Sequence, residues 1–195
     1  MTTAGGVAAT ALFAVVASSA ATPATTPLPT AVAPTPVVSE ADLAELRARG
    51  LAFPVPSIRW DDARDTFTDR RGTAPHEALD IPAPRGAPAV AVDDGVVEKL
   101  FRSVPGGLTI YLFDRERRFA YYYAHLDRYE PGLHEGQGVA SGDVLGYVGS
   151  TGNASPDAPH LHFTIFKLDP TTRWWRGTPL NPHPLLRPST PDGTR

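Results

Sequence analysis

The sequence contains no cysteine, and this absence excludes several kinds of protein. A chain without thiols has no disulfide scaffold, no cysteine nucleophile and no thiolate zinc site. An excess of positive charge is also missing, because 18 Lys and Arg residues face 21 Asp and Glu residues, a net charge of −3. Domains that bind nucleic acid by neutralising phosphates carry a basic excess, so we expect no nucleic-acid partner. The 21 prolines and 17 glycines disfavour an all-helical bundle.

Charged side chains are absent from residues 1–39. Within this stretch, residues 7–20 form an apolar run that ends in small residues. Its 14 residues are fewer than the about 20 that a membrane-spanning helix needs. Such a run is typical of a secretory signal peptide, so we predict one over residues 1–20, with an uncleaved N-terminal anchor as the alternative. The protein would then be exported to the periplasm or the cell exterior without a stable membrane span, or be anchored at the inner membrane.

Residues 21–38 contain five prolines and five threonines, and they contain no charge. Such a segment buries too little apolar surface to offset its ordering entropy, so we predict a disordered, extended linker. Charged residues begin at Glu40 and continue to the C-terminus at an ordinary density. We therefore predict one folded domain over residues 39–186 and a flexible tail over residues 187–195.

The domain begins with a helix pattern and continues with strand patterns. Ser39 followed by Asp42 is typical of a helix start, and Gly50 is a good helix end, so we expect a short helix over residues 40–49. Afterwards, short apolar or alternating runs are separated by Gly and Asp turns. This pattern predicts a mainly β domain, an antiparallel sandwich or an open barrel-like sheet.

Histidines occur in patterns that suit a metal. His160 and His162 would point to the same face of a strand, where two buried imidazoles need a partner such as a metal ion. Two exposed histidines at a strand end are the alternative. His76 and Asp80 are also spaced to converge on one face of an extended segment, and both are good zinc ligands, with a surface Asp near an unrelated His as the alternative. Taken alone, His125 at a strand end indicates a structural role.

Together these motifs resemble the lysostaphin-type (LytM-like) zinc metallopeptidases, which cut peptide bonds in bacterial cell walls. The matching elements are the His76 and Asp80 pair, the segment Tyr123–Leu126, the segment His160–Phe163 and a glycine-punctuated hairpin over residues 138–152. The resemblance covers residues 53–184, about two thirds of the chain.

The resemblance implies a zinc endopeptidase that hydrolyses cross-links or stem peptides of peptidoglycan. It assigns one zinc ion to His76, Asp80 and His162, with an open position for water, and catalytic roles to His125 and His160. Two alternatives remain open: a non-catalytic wall-binding protein or activator of another hydrolase, and a secreted zinc peptidase with a non-wall substrate. A regulatory protein partner is also left open.

Three further residues are candidate substrate contacts: Tyr123, Asn153 and Trp174. Asn153 lies in a long loop before His160, which we expect at the rim of the cleft. Trp174 would either line the groove or cover the core, and the core is the favoured interpretation. The family usually has glycine where this chain has Ala78, a change that is tolerable unless the backbone needs a positive φ.

Overall fold

The computed structural model describes residues 36–171 and 173–188. The predicted signal peptide, most of the predicted linker and residues 189–195 of the predicted tail lie outside these residues. Two of the described linker residues contact the domain, because the Thr178 hydroxyl donates to the Pro36 carbonyl at 2.5 Å and Val38 packs against the core. The folded unit therefore begins before Ser39. Within the described residues, no helix is long and apolar enough to cross a bilayer.

Helix α1 spans Glu40–Arg49, as predicted. The Ser39 hydroxyl accepts a hydrogen bond from the Asp42 backbone, and the Asp42 carboxylate accepts one from the Ser39 backbone, so the two residues form a reciprocal cap. Gly50 ends the helix with φ of 65°, a left-handed conformation that glycine adopts without steric cost. Leu46 then lies fully buried in the core.

Asp42 also ties the helix to the sheet, and its removal tests this link. Its side chain accepts from Arg118 at 2.9 Å and from Lys167, while the residue is only 2% exposed. We expect Asp42→Ala to lower the free energy of unfolding by about 2–3 kcal/mol, through the lost cap and the unpaired cations. Chemical denaturation at pH 7 measures this loss, and Glu40→Ala, an exposed acid in the same turn, should change stability by less than about 0.5 kcal/mol.

The same loss should depend on pH. Burial alone would raise the pKa of Asp42, but hydrogen bonds from Lys167 and Ser39 hold it well below its ordinary value of 3.8. A carboxylate whose pKa is lower in the folded chain stabilises the fold above the unfolded value and loses this effect as the pH falls below it. The difference between wild type and Asp42→Ala should therefore shrink when denaturation is repeated near pH 3. An undiminished difference would contradict the ionic part of the explanation.

The rest of the domain is mainly strand, as predicted. A 3₁₀ turn covers Trp60–Asp62. The strands are β1 (Arg70–Arg71), β2 (Ala74–Pro75), β3 (Leu79–Pro82), β4 (Pro88–Val90), β5 (Gly95–Ser103), β6 (Gly107–Asp114), β7 (Phe119–Tyr129), β8 (Gly138–Val139), β9 (Val144–Val148), β10 (His160–Leu168) and β11 (Gly177–Leu180).

Nine of these strands form one antiparallel sheet, and β1 and β2 form a separate hairpin. The main order is β11-β10-β7-β6-β5-β8, with β3 on β10 and with β9 between β7 and β4. In the described part of the chain the sheet does not close into a barrel, so the open antiparallel fold predicted from the sequence is confirmed. The main core lies on the face that carries Tyr121, Tyr123, Phe163 and Ile165.

Strand β7 changes partners in its middle, and this change shapes the site described below. One of its edges pairs with β10 up to Ala124 and with β9 from Leu126 onwards. His125 lies between the two ladders and adopts φ of 61°. On the other edge the register with β6 also shifts at this point. The irregularity is a β-bulge, which re-aims a side chain relative to the regular alternation of a strand.

Candidate active site

Strand pairing brings three predicted metal ligands together. In the antiparallel register, His162 of β10 lies opposite Asp80 of β3 on one side and opposite Ala124 of β7 on the other. His76 precedes β3 by one turn of irregular chain. Ala124, beside His162, is small, and it lines an open groove together with these three residues. The sheet therefore positions side chains that are 82 residues apart in sequence.

The ligand atoms form a nearly equilateral triangle. His76 Nε2, His162 Nδ1 and Asp80 Oδ1 are separated from one another by 3.1 Å. Tetrahedral zinc with bonds of about 2.0 Å needs ligand atoms about 3.3 Å apart. When both imidazole nitrogens are unprotonated, they and the carboxylate oxygen direct lone pairs into the same space, and a cation there satisfies all of them. The donor set and spacing therefore fit a zinc ion with one further coordination position open.

Thr66 holds two of these ligands, His76 and Asp80, by hydrogen bonds. Its backbone carbonyl accepts from His76 Nδ1 at 3.1 Å, so that Nε2 keeps its lone pair for a metal. The Thr66 hydroxyl accepts from the Asp80 backbone N–H at 2.9 Å and donates to the Ala78 carbonyl at 3.0 Å. One buried threonine thus orients both ends of the segment that carries the first two ligands.

The pKa values of these ligands favour their metal-binding forms. Burial lowers the pKa of His76, which keeps its imidazole neutral. Burial alone would raise the pKa of Asp80, but a hydrogen bond from His162 and nearby imidazoles lower it to about 2. At neutral pH both groups are therefore deprotonated, as coordination requires.

The backbone between these ligands is strained at Glu77. Glu77 adopts φ of 58°, whereas the buried Ala78 carries no positive φ, so the departure from the family's glycine causes no strain at Ala78. The Thr164 hydroxyl donates to the Glu77 carbonyl at 2.8 Å and holds this conformation. The side chain of Glu77 is exposed and does not line the groove, so it is not placed to act as a general base.

Substitution at Glu77 tests this strain. A β-branched residue tolerates a left-handed backbone poorly, so Glu77→Val should lower the free energy of unfolding by about 1–2 kcal/mol. Glu77→Gly should be at least as stable as wild type, because glycine adopts this φ without steric cost. Thermal or chemical unfolding of both variants measures the difference. Equal stability of the two variants would show that the local conformation can relax without cost.

His125 is held by the loop that precedes β10. Its Nδ1 donates to the Thr151 carbonyl at 2.8 Å, and its backbone N–H donates to the Gly106 carbonyl at 2.8 Å. The Thr151 hydroxyl donates in turn to the Leu126 carbonyl at 2.7 Å and accepts from the Leu108 backbone at 2.9 Å. These contacts lock one tautomer and leave Nε2 as an acceptor. Burial lowers the pKa of His125 to about 4, so its imidazole is neutral at pH 7.

His160 has a similar arrangement on the opposite wall. Its Nδ1 donates to the Ala158 carbonyl at 2.9 Å, and its Nε2 lies 3.7 Å from Asp80 Oδ1. The ring centres of His125 and His160 are 4.9 Å apart. Both Nδ1 atoms are thus engaged by backbone carbonyls, which leaves the Nε2 atoms of His125 and His160 for contacts beside the metal-binding triangle.

All five predicted histidine and aspartate residues line one groove. Of the three predicted substrate contacts, only Asn153 is among the described residues that line it. Asn153 lies in the groove wall with Ala154 and Ser155, on the long loop expected there. Trp174 packs against the outer face of the sheet, with its ring centre 5.1 Å from that of Phe101, and is not among the lining residues.

The prediction for Tyr123 is wrong. This residue is fully buried, and its hydroxyl accepts from the Val92 backbone N–H at 3.0 Å. Its neighbour Tyr122 lines the groove instead. Regular alternation would place Tyr123 on the same side as His125, but the β-bulge at His125 shifts the phase. Tyr121, Tyr122 and Tyr123 are consecutive, so strand alternation places Tyr122 on the face opposite to its two neighbours. This alternation was the sequence signal that could have identified Tyr122 as a groove residue.

A groove with three candidate metal ligands and two further histidines could hold a metal ion beside groups that transfer protons. The family model "Peptidase family M23" matches residues 74–182, more than half of the chain. The chain therefore belongs to peptidase family M23, which confirms the LytM-like resemblance.

Curated relatives share this region. The L-Ala–D-Glu endopeptidase of Bacillus subtilis (strain 168) is 37% identical over 145 residues, which cover 70% of this chain and 43% of the relative. The peptidoglycan DD-endopeptidase ShyC of Vibrio cholerae serotype O1 is 34% identical over 88 residues, which cover 45% of this chain and 19% of ShyC. The chain thus spans less than half the length of these relatives.

Solved structures share the fold. The catalytic domain of lysostaphin from Staphylococcus simulans is 25% identical with a TM-score of 0.55, and the match covers 65% of this chain and 94% of that domain. Csd3 from Helicobacter pylori is also 25% identical with a TM-score of 0.55, covering 71% of this chain and 33% of Csd3.

Proposed function

We propose that this protein is an exported zinc endopeptidase that hydrolyses peptide bonds in peptidoglycan cross-links or stem peptides. The observation that carries the proposal is the triangle of His76 Nε2, His162 Nδ1 and Asp80 Oδ1 at 3.1 Å, with two more imidazoles facing the same groove. The names of the Bacillus and Vibrio relatives support a wall substrate. The apolar run over residues 7–20 supports export to the periplasm or the cell exterior.

The division of labour follows from the donors and acceptors of the groove. A zinc ion held by His76, Asp80 and His162 would supply the Lewis acidity that makes a water molecule reactive near neutral pH. His125 and His160 have their Nδ1 atoms occupied by backbone carbonyls, so their Nε2 atoms are the ones that can accept a proton from the attacking water. The same histidines can return a proton to the leaving amine as the carbon–nitrogen bond breaks. Water oxygen ends on the carbonyl carbon, and its proton ends on the amine nitrogen.

Two other functions compete with this proposal. A wall-binding protein without activity on the same fold would not need His125 and His160 aimed at the metal ligands with their tautomers fixed. A secreted zinc peptidase with a non-wall substrate would use the same five residues. The groove geometry therefore favours catalysis over binding alone, and the substrate is decided by experiment.

The test uses the full chain loaded with one equivalent of zinc. Intact peptidoglycan is digested and the released muropeptides are analysed by mass spectrometry, with chelated enzyme as the control. New peptide termini that appear only with zinc support the proposal and identify the bond. Wall binding by zinc-loaded protein without cleavage would instead support a binding protein, and cleavage of casein alone would support a non-wall peptidase.

A further inference from the structure

Arg71 on the β1–β2 hairpin stands directly beside the metal-binding triangle. Its Nη2 donates to Asp80 Oδ2 at 2.6 Å. The other oxygen of that carboxylate, Oδ1, faces His76 Nε2 and His162 Nδ1. Asp80 therefore uses one oxygen for the metal cluster and the other for the guanidinium. Among the groove-lining residues that the structure describes, Arg71 is the one Lys or Arg.

The guanidinium keeps donors for a second partner. Arginine has five N–H donors in a planar fork, and Asp80 is the sole hydrogen-bond partner of the Arg71 side chain within residues 36–171 and 173–188. The side chain is 56% exposed, so its remaining donors are accessible from the groove. A planar fork of this kind binds carboxylates by two parallel hydrogen bonds.

The charge of the groove points to the same partner. Asp80 is the one acidic residue among the described lining residues. A divalent ion at the triangle, together with Arg71, outweighs its single negative charge. Positive charge in a partly enclosed groove attracts anionic ligands. A peptide with a carboxylate near the scissile bond is therefore favoured over a neutral peptide.

We propose that Arg71 binds a carboxylate on the substrate residue that directly flanks the cleaved bond. The inference rests on the proposed function, and it names the feature that this enzyme selects. The short distance between Arg71 and the metal cluster determines which substrate residue it can reach, because Arg71 contacts Asp80, which itself belongs to that cluster. One residue of an extended peptide spans about 3.3–3.6 Å, so a carboxylate on Arg71 belongs to a neighbour of the scissile bond.

The experiment compares two peptides that differ in one group. Both contain the bond that muropeptide analysis identifies, and the flanking residue carries either its carboxylate or the corresponding carboxamide. Wild type should prefer the carboxylate peptide by about 10- to 100-fold in kcat/KM, the range of a hydrogen bond between charged groups. In Arg71→Gln this ratio should fall to about one, and Arg71→Lys should retain part of it, because lysine keeps the charge without the fork.

The ratio separates recognition from positioning. If Arg71 merely orients Asp80, Arg71→Gln lowers the activity toward both peptides equally and the ratio persists, which overturns the proposal. Zinc affinity, measured by chelator competition, reports such an orienting role independently. Arg70→Gln is the matched control, because Arg70 lies on the same hairpin, donates to the Thr73 carbonyl and does not line the groove. It should keep the wild-type ratio.

The outcome is distinguishable from failure of the proposed function. If wild type cleaves no wall peptide, that function fails, and the pair is tested by binding instead. A stem tetrapeptide with D-glutamate and its carboxamide counterpart are then titrated into zinc-loaded His160→Ala. The inference is supported if His160→Ala binds the carboxylate peptide more tightly than the carboxamide peptide and if adding Arg71→Gln to this variant removes the difference. Equal or absent binding of both peptides, or a cleaved bond flanked by no carboxylate, overturns it.

Discussion

Replacement of His162 by Ala is expected to abolish both metal retention and peptide hydrolysis. His162 Nδ1 is one corner of the 3.1 Å triangle, and two remaining ligands hold a divalent ion poorly. We expect kcat/KM to fall by more than about a thousandfold, because the Lewis acid leaves with its ligand. Equilibrium dialysis with zinc, followed by elemental analysis, measures the retained metal, and hydrolysis of purified muropeptides measures the activity.

The control for this variant is another histidine. His134 is exposed, and its Nδ1 contacts the Glu135 carbonyl at 3.1 Å rather than the metal ligands. His134→Ala should retain zinc and activity within about twofold, as expected for a surface change. Circular dichroism of metal-free His162→Ala should match that of metal-free wild type. Full activity of His162→Ala would contradict the assignment. A circular dichroism spectrum that shows metal-free His162→Ala to be unfolded would also contradict it.

The local part of the site was predictable from the sequence. The spacing of His160 and His162 follows strand alternation, and both side chains lie in one groove. The cap at Ser39 and the end at Gly50 likewise follow from short-range chemistry. Such features depend on neighbours along the chain, so periodicity and capping rules capture them.

The non-local part was not predictable in this way. The pairing of Asp80 with His162 depends on the register between β3 and β10, which no residue near either one specifies. The bulge at His125 depends on the change of β7 from one partner strand to another. Because that bulge reverses the alternation, the sequence-based choice of Tyr123 failed and Tyr122 lines the groove. The resemblance to a known family supplied the ligand set, which the spacing alone left open.

The two remaining histidines give the second large effect. We expect His125→Asn and His160→Ala each to lower kcat by about 10²- to 10⁴-fold, the usual contribution of a positioned proton-transfer group. Asparagine is chosen at position 125 because it tolerates the φ of 61° better than other residues. Both variants should retain one equivalent of zinc, which separates proton transfer from metal binding. Either variant keeping more than a tenth of the wild-type kcat, or losing its zinc, would argue against this role.

The double variant tells whether His125 and His160 serve one step or two. Their ring centres are 4.9 Å apart, and both Nε2 atoms face the same space, so we expect them to share the path of one proton. Residues that act as a unit show strongly non-additive losses. The kcat of the double variant should therefore lie near that of the more damaged single variant. Losses that multiply would instead assign the histidines to separate steps, one at the attacking water and the other at the leaving amine.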